Sequence, residues 1–282
     1  MSRWLDGVQP SKLLLMARVA LAAVTAALAL ATACESGKPR GATTATAKVA
    51  SSPSAVPGPA AETSAAAPSL PAPPDRKDAE ASKQSCNVAL IGDSLTDYAV
   101  HGGGYARYLE ERCPGSHFVN FAKGGAMVNQ MRRRFDETLA SEPRGSFTHV
   151  VVFGGVNDLY SDETAGRTTA KIEGDLTALY AGARALGARV VAITVAPWGG
   201  FTRYFTPHRA ATTRELNAWI LEQTKDGSVD VAVDAFSLLS CGDPDRLCER
   251  YDRAHSDGLH FGKGGHEALG ALLYEREFHA CL

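Results

Sequence analysis

Five short apolar runs, rich in β-branched residues, limit the folds open to this chain more than any other feature. They fall at 88–91, 117–121, 149–153, 190–195 and 229–233. Each has the length of a buried strand. The segments between them carry a helical period instead. Over 105–113, Tyr105, Tyr108 and Leu109 share one face, and Pro114-Gly115 marks the stop. Met127, Met131, Phe135 and Leu139 then recur at every fourth position, while Arg132, Arg133 and Arg134 form a solvated face. Longer helices are predicted over 168–186, 209–224 and 264–278. Strand and helix alternating five times predict an α/β fold, a five-stranded parallel sheet with helices on both faces.

That fold does not take in all 282 residues. Arg3, Lys12 and Arg18 flank an apolar run over 19–33 that is shorter than the roughly 20 residues of a membrane-spanning helix. It has the character of a secretory signal. The run ends in Ala31-Thr32-Ala33-Cys34, small residues before a cysteine, which resembles the lipobox of bacterial lipoproteins with Ala31 in place of the usual leucine. Residues 1–34 are therefore expected to be a signal peptide with lipidation at Cys34; cleavage nearby without lipidation, giving a secreted protein, is the alternative. Residues 35–85 are Ala, Pro, Ser and Thr with scattered charges. They hold too few large apolar side chains to offset the entropy of ordering, and predict a disordered tether. The folded unit is then 86–282, one domain with one sizeable core.

A parallel sheet sets all its strand C-termini along one edge, so polar residues just beyond those ends converge although far apart in sequence. Beyond the first run stands Ser94, in Gly92-Asp93-Ser94-Leu95; beyond the second, Gly125; beyond the third, Asn157, in Gly155-Val156-Asn157-Asp158. Asp257-Gly258-Leu259-His260 precedes the last helix. These are the parts that acyl transfer needs. Ser94 would attack, His260 would take its proton, and Asp257 would orient the imidazole. The Ser94 and Gly125 N–H groups and the Asn157 amide would donate to the oxyanion. Gly124 competes with Gly125, and His255 and His266 with His260; the Asp-x-x-His spacing favours His260. Asp93 and Asp158 read as structural. The glycines 102–104 lack dinucleotide spacing, and no His/Cys/Asp cluster has metal-ligand spacing.

Together these four motifs, with Asn120 five residues before Gly125, resemble the SGNH or GDSL hydrolases over 86–282. The resemblance implies a flavodoxin-like three-layer α/β/α sandwich and cofactor-free, metal-free hydrolysis of carboxylic esters through an acyl-serine. The expected substrates are small acyl esters, lysolipids or acetylated glycans. The same machinery can pass the acyl group to an envelope sugar, so an O-acetyltransferase is one alternative. A catalytically silent envelope lipoprotein is another, against which the intact set of reacting residues argues. The aromatic segment 198–207 either lines the acyl or sugar pocket or packs on its own core.

A formal net charge of -2 gives no reason to expect nucleic acid. A monomer is expected, touching a membrane through its lipid anchor alone. Export puts the cysteines in an oxidising compartment. Cys241 and Cys248, which enclose a turn-rich loop ahead of Asp257 and His260, are expected to pair. Of Cys86, Cys113 and Cys281 one pair can form, with Cys86–Cys113 preferred.

Overall fold

The computed structural model describes residues 84–252 and 257–282. The leader, Cys34, residues 35–83 of the expected tether and His255 lie outside the described residues. Five parallel strands form the central sheet in the order β2-β1-β3-β4-β5. They are β1 (Asn87–Gly92), β2 (His117–Asn120), β3 (His149–Phe153), β4 (Arg189–Ile193) and β5 (Val231–Val233). The longer helices between and after them are α1 (Gly104–Arg112), α2 (Val128–Thr138), α5 (Thr169–Ala185), α6 (Pro207–Glu222) and α8 (Lys263–Arg276), with short helices α3 (Val156–Tyr160), α4 (Asp162–Ala165) and α7 (Ala235–Leu239). A small antiparallel hairpin, β6 (Ser240–Cys241) and β7 (Asp243–Leu247), stands apart from the sheet.

The period-2 alternation of a strand explains the three layers. In β3, Val150 and Val152 enter one core with Met131 and Phe135 of α2, Leu176 and Tyr180 of α5, and Leu216 and Ile220 of α6. Val151 and Phe153 enter the other, with Leu109 of α1 and Leu269 and Leu273 of α8. Every side chain of β3 is buried, which is why the strand reads as a continuous apolar run instead of an alternating one. Full burial of each such side chain contributes roughly 1.5–3 kcal/mol. The result is the α/β/α sandwich that the alternation predicted.

The differences from the sequence expectation have local causes. The fourth strand ends at Ile193. The Val195 N–H and carbonyl are instead taken up by the Asn217 amide of α6, at 2.8 and 2.9 Å, which lifts the chain out of the sheet. Helix α6 starts at Pro207, whose missing N–H costs nothing at a first helical position, and Thr206 caps it by accepting from the Arg209 N–H.

The expected Cys86–Cys113 bridge does not form: Cys86 is joined to Cys281. The C-terminal residues run beside the start of β1, with the Gln84 N–H on the Ala280 carbonyl and the Leu282 N–H on the Gln84 carbonyl. This brings the Cys86 and Cys281 Cα atoms within 5.7 Å. Cys113, at the end of α1, is a buried thiol whose Sγ lies 3.7 Å from the Phe278 carbonyl. Cys241 and Cys248 are joined to each other across the hairpin. Among the described residues, no helix is long and apolar enough to cross a membrane.

Candidate active site

The serine turn is built by its neighbours. After β1 ends, Asp93 Oδ1 accepts the Leu95 N–H at 2.9 Å, and the Asp93 carbonyl accepts from the Thr96 and Asp97 N–H groups. Ser94 is thereby fixed just past the strand end, half-buried. Its Oγ lies 2.8 Å from His260 Nε2. The other ring nitrogen, Nδ1, lies 2.6 Å from Asp257 Oδ2. A carboxylate at Nδ1 places the ring proton there, which leaves Nε2 to accept from the serine hydroxyl.

The Asp257 turn is equally determined. Its Oδ1 accepts the Leu259 and His260 N–H groups at 3.0 and 2.8 Å, so one carboxylate holds both the backbone and the ring of the histidine. Burial pulls the Asp257 pKa upward, but the His260 N–H, the imidazole and the Leu259 N–H outweigh it and hold the group below the usual carboxylate value. Gly258 adopts a left-handed φ of 74°. Its backbone lies directly on that of Gly200, where a methyl group would stand 2.6 Å from Gly258 Cα.

Asn157 reaches the loop that carries Gly125. The Asn157 amide, in the first turn of α3, donates to the Ala126 carbonyl at 3.1 Å. That leaves a second N–H on the same nitrogen. The two glycines differ in their partners: Asp97 Oδ2 accepts the Gly124 N–H at 2.8 Å, whereas no hydrogen bond engages the Gly125 N–H among the described residues. Asp97 Oδ1 also holds the Ala99 N–H, so this carboxylate braces the serine loop against the Gly124-Gly125 loop. Asn120 makes a second brace, donating to the Thr96 carbonyl at 2.7 Å while accepting from the Ala122 N–H. The sequence reading gave Asp97 no role. Its position three residues after Ser94 was the available signal, but only the fold shows which loop it reaches.

The remaining sequence candidates sit elsewhere. Asp158 is fully buried and accepts from the Val128 N–H and from Arg167, joining α3 to the start of α2. His266 lies within α8, packed on Tyr105 and Phe261. Among the described residues, no group of His, Cys, Asp and Glu side chains is arranged to hold a metal ion. The aromatic segment divides. Trp198 is buried and donates to Thr213, with Phe205 edge-on against it. Phe201 and Tyr204 are half-buried and meet Tyr160 of α3.

Known proteins share this arrangement of elements. A family model described as the GDSL-like lipase/acylhydrolase family matches residues 90–268. Among solved structures, a GDSL-like lipase from Bacteroides thetaiotaomicron is similar with a TM-score of 0.56 and 20% identity, covering 67% of this chain and 86% of that one. A lipase/acylhydrolase from Enterococcus faecalis has a TM-score of 0.53 at 21% identity, covering 67% of this chain and 94% of its own. An acetyl xylan esterase, AlAXEase, has a TM-score of 0.53 at 19% identity, covering 67% and 98%. No curated protein matches by sequence. With the family model spanning well over half of it, the chain belongs to the GDSL-like lipase/acylhydrolase family and is a serine hydrolase acting on ester bonds.

Proposed function

We propose that the protein is an exported esterase that cleaves carboxylic esters through an acyl-enzyme on Ser94. The observation that carries this reading is the unbroken line from Ser94 Oγ through His260 to Asp257, with contacts of 2.8 and 2.6 Å. In the first step Oγ attacks the ester carbonyl carbon as its proton passes to His260 Nε2. The carbonyl π pair moves onto oxygen, giving a tetrahedral oxyanion. The Ser94 and Gly125 N–H groups and the free N–H of the Asn157 amide stabilise it, where one such donor is worth roughly two to three orders of magnitude in rate. The oxyanion collapses, the bond to the alcohol oxygen breaks, and Nε2 returns the proton to that oxygen. Water then attacks the acyl-serine by the same route, releasing the acid and restoring the hydroxyl. Asp257 stays ionised and stabilises the imidazolium in both steps.

Steady-state turnover of p-nitrophenyl acetate tests this. Ser94→Ala and His260→Ala should each lower kcat by at least about 10³-fold with melting temperatures near the parent's. Asp257→Asn should retain more activity, because nucleophile, base and oxyanion donors remain. Parent-like turnover by the Ser94→Ala protein would overturn the mechanism.

Two disulfides are in keeping with export to an oxidising compartment. We assign Cys34 as the lipidated N-terminus of the mature protein and the residues from 35 to about 83 as its tether. An unmodified terminus downstream of Cys34, read by mass spectrometry, would contradict this.

A further inference from the structure

We propose that Tyr160, Phe201 and Tyr204 form a subsite for a carbohydrate ring, the alcohol portion of the ester cleaved at Ser94; this rests on the esterase reading above. The three rings are mutually packed, with centroids 4.6 Å apart for Tyr160 and Tyr204, 4.8 Å for Phe201 and Tyr204, and 5.8 Å for Tyr160 and Phe201. All three are half-buried, packed against the core on one side and partly open to solvent.

Both ends of this cluster are fastened to the reacting groups. Tyr160 lies three residues after Asn157 in α3, on the same helix face as the oxyanion donor. Phe201 directly follows Gly200, whose backbone lies on Gly258 between Asp257 and His260. The rings therefore stand at the rim of the triad, between the oxyanion side and the histidine that returns the proton to the leaving alcohol. They are also held rigidly. Arg209 donates to the Tyr204 carbonyl at 2.6 Å while its other nitrogens grip Asp162 of α4.

What surrounds the rings selects the ligand. The Arg203 guanidinium lies 5.1 Å from the Tyr204 ring centre and is exposed. Through Asp162 the platform adjoins a cleft of about 250 Å³ lined by Glu163, Thr168, Thr169, His208 and Thr212. Hydroxyl, carboxylate, imidazole and guanidinium groups beside an aromatic face suit a polyol ring. Its C–H face packs on the negative face of the arene, and its hydroxyls reach the polar rim. A lysolipid chain would need an apolar trough instead. The apolar dimple beside the serine turn, lined by Leu95, Val156, Trp198 and Leu259, is too tight to admit even water.

The test compares two acetate esters on the full chain by pH-stat: methyl 6-O-acetyl-glucopyranoside, whose alcohol part is a pyranose with free hydroxyls, and ethyl acetate, which has no ring. The ratio of their kcat/KM values should favour the sugar ester, and should fall about tenfold in Tyr204→Ala and Phe201→Ala, chiefly through KM. Unchanged ratios in both folded variants would overturn the subsite. So would lysophosphatidylcholine turnover exceeding that of the sugar ester. A wild-type protein inert to every ester contradicts the esterase reading instead. Saturation-transfer NMR with methyl glucoside then decides the subsite alone: signal lost in Tyr204→Ala supports it, and no signal in the wild type refutes it.

Discussion

Two carboxylates four residues apart, Asp93 and Asp97, show how differently one residue type is used around the serine. Asp97 spends both oxygens on backbone N–H groups and joins two loops. Asp93 spends one, and its Oδ2 is buried without a hydrogen bond. Burial drives the Asp93 pKa up to about 7, against the pull of the Leu95 N–H and with the help of the Asp158 carboxylate. A raised folded value means that the native state holds a proton which the unfolded chain gives up near pH 4. Stability is then fully present below that pH and is lost as pH rises toward 7. An asparagine keeps the acceptor for the Leu95 N–H and does not titrate. The stability of Asp93→Asn relative to the parent should therefore rise by about 1 kcal/mol per pH unit between pH 4 and 7, then level off. Urea melts at four pH values measure it; a difference that is constant from pH 4 to 8 would remove Asp93 from the account.

At the scale of elements, the histidine turn is held by a relay of backbone contacts that starts at the disulfide hairpin. The Gly199 N–H donates to the Asp245 carbonyl of β7 at 2.6 Å, and Gly200 rests on Gly258. Arg214 of α6 pairs with the Asp245 carboxylate and holds the hairpin from the other side. A side chain at Gly258 would meet the Gly200 backbone and would also sit at a φ of 74°, which L-residues resist. Gly258→Ala should lower kcat about 10²-fold by displacing His260 from Ser94. Gly227→Ala is the control, because Gly227 shares the left-handed φ, at 77°, but has open space around its Cα. It should show a similar backbone cost in thermal melts with far less loss of kcat. Equal kinetic losses in the two proteins would refute the relay. Little of this relay was legible in the sequence. The motifs around Ser94 and Asn157 stand out because each follows a continuous apolar run, and the one around His260 because it precedes the last helix. Helix α3 and the hairpin β6–β7 are too short to show a period, so neither Tyr160 nor Asp245 announced its neighbours.

Across the whole molecule, one disulfide and a buried ion-pair cluster fasten the edge of the sheet where the strands start, and the chemistry lies at the other edge. Cys86 precedes β1, and its bridge to Cys281 closes a sequence separation of 195 residues. Glu277, whose side chain is 7% exposed, accepts from Arg189 at the start of β4 and pairs with His149 at the start of β3. Despite burial, these partners draw its pKa down to about 2. The alternation of strand and helix made the sheet readable in advance, but the pairing of the C-terminal tail with residue 84 involves too few residues to leave a pattern. Hence the sequence reading erred at Cys86. At the opposite edge everything depends on whether Ser94 is an activated nucleophile. The most direct measurement is to treat the folded full chain with a fluorophosphonate and map the adduct by tryptic mass spectrometry. The account predicts one stoichiometric adduct on Ser94, absent from Ser94→Ala and formed far more slowly in His260→Ala. A folded wild-type protein in which Ser94 stays unlabelled, or in which His260→Ala labels at the parent's rate, would contradict it.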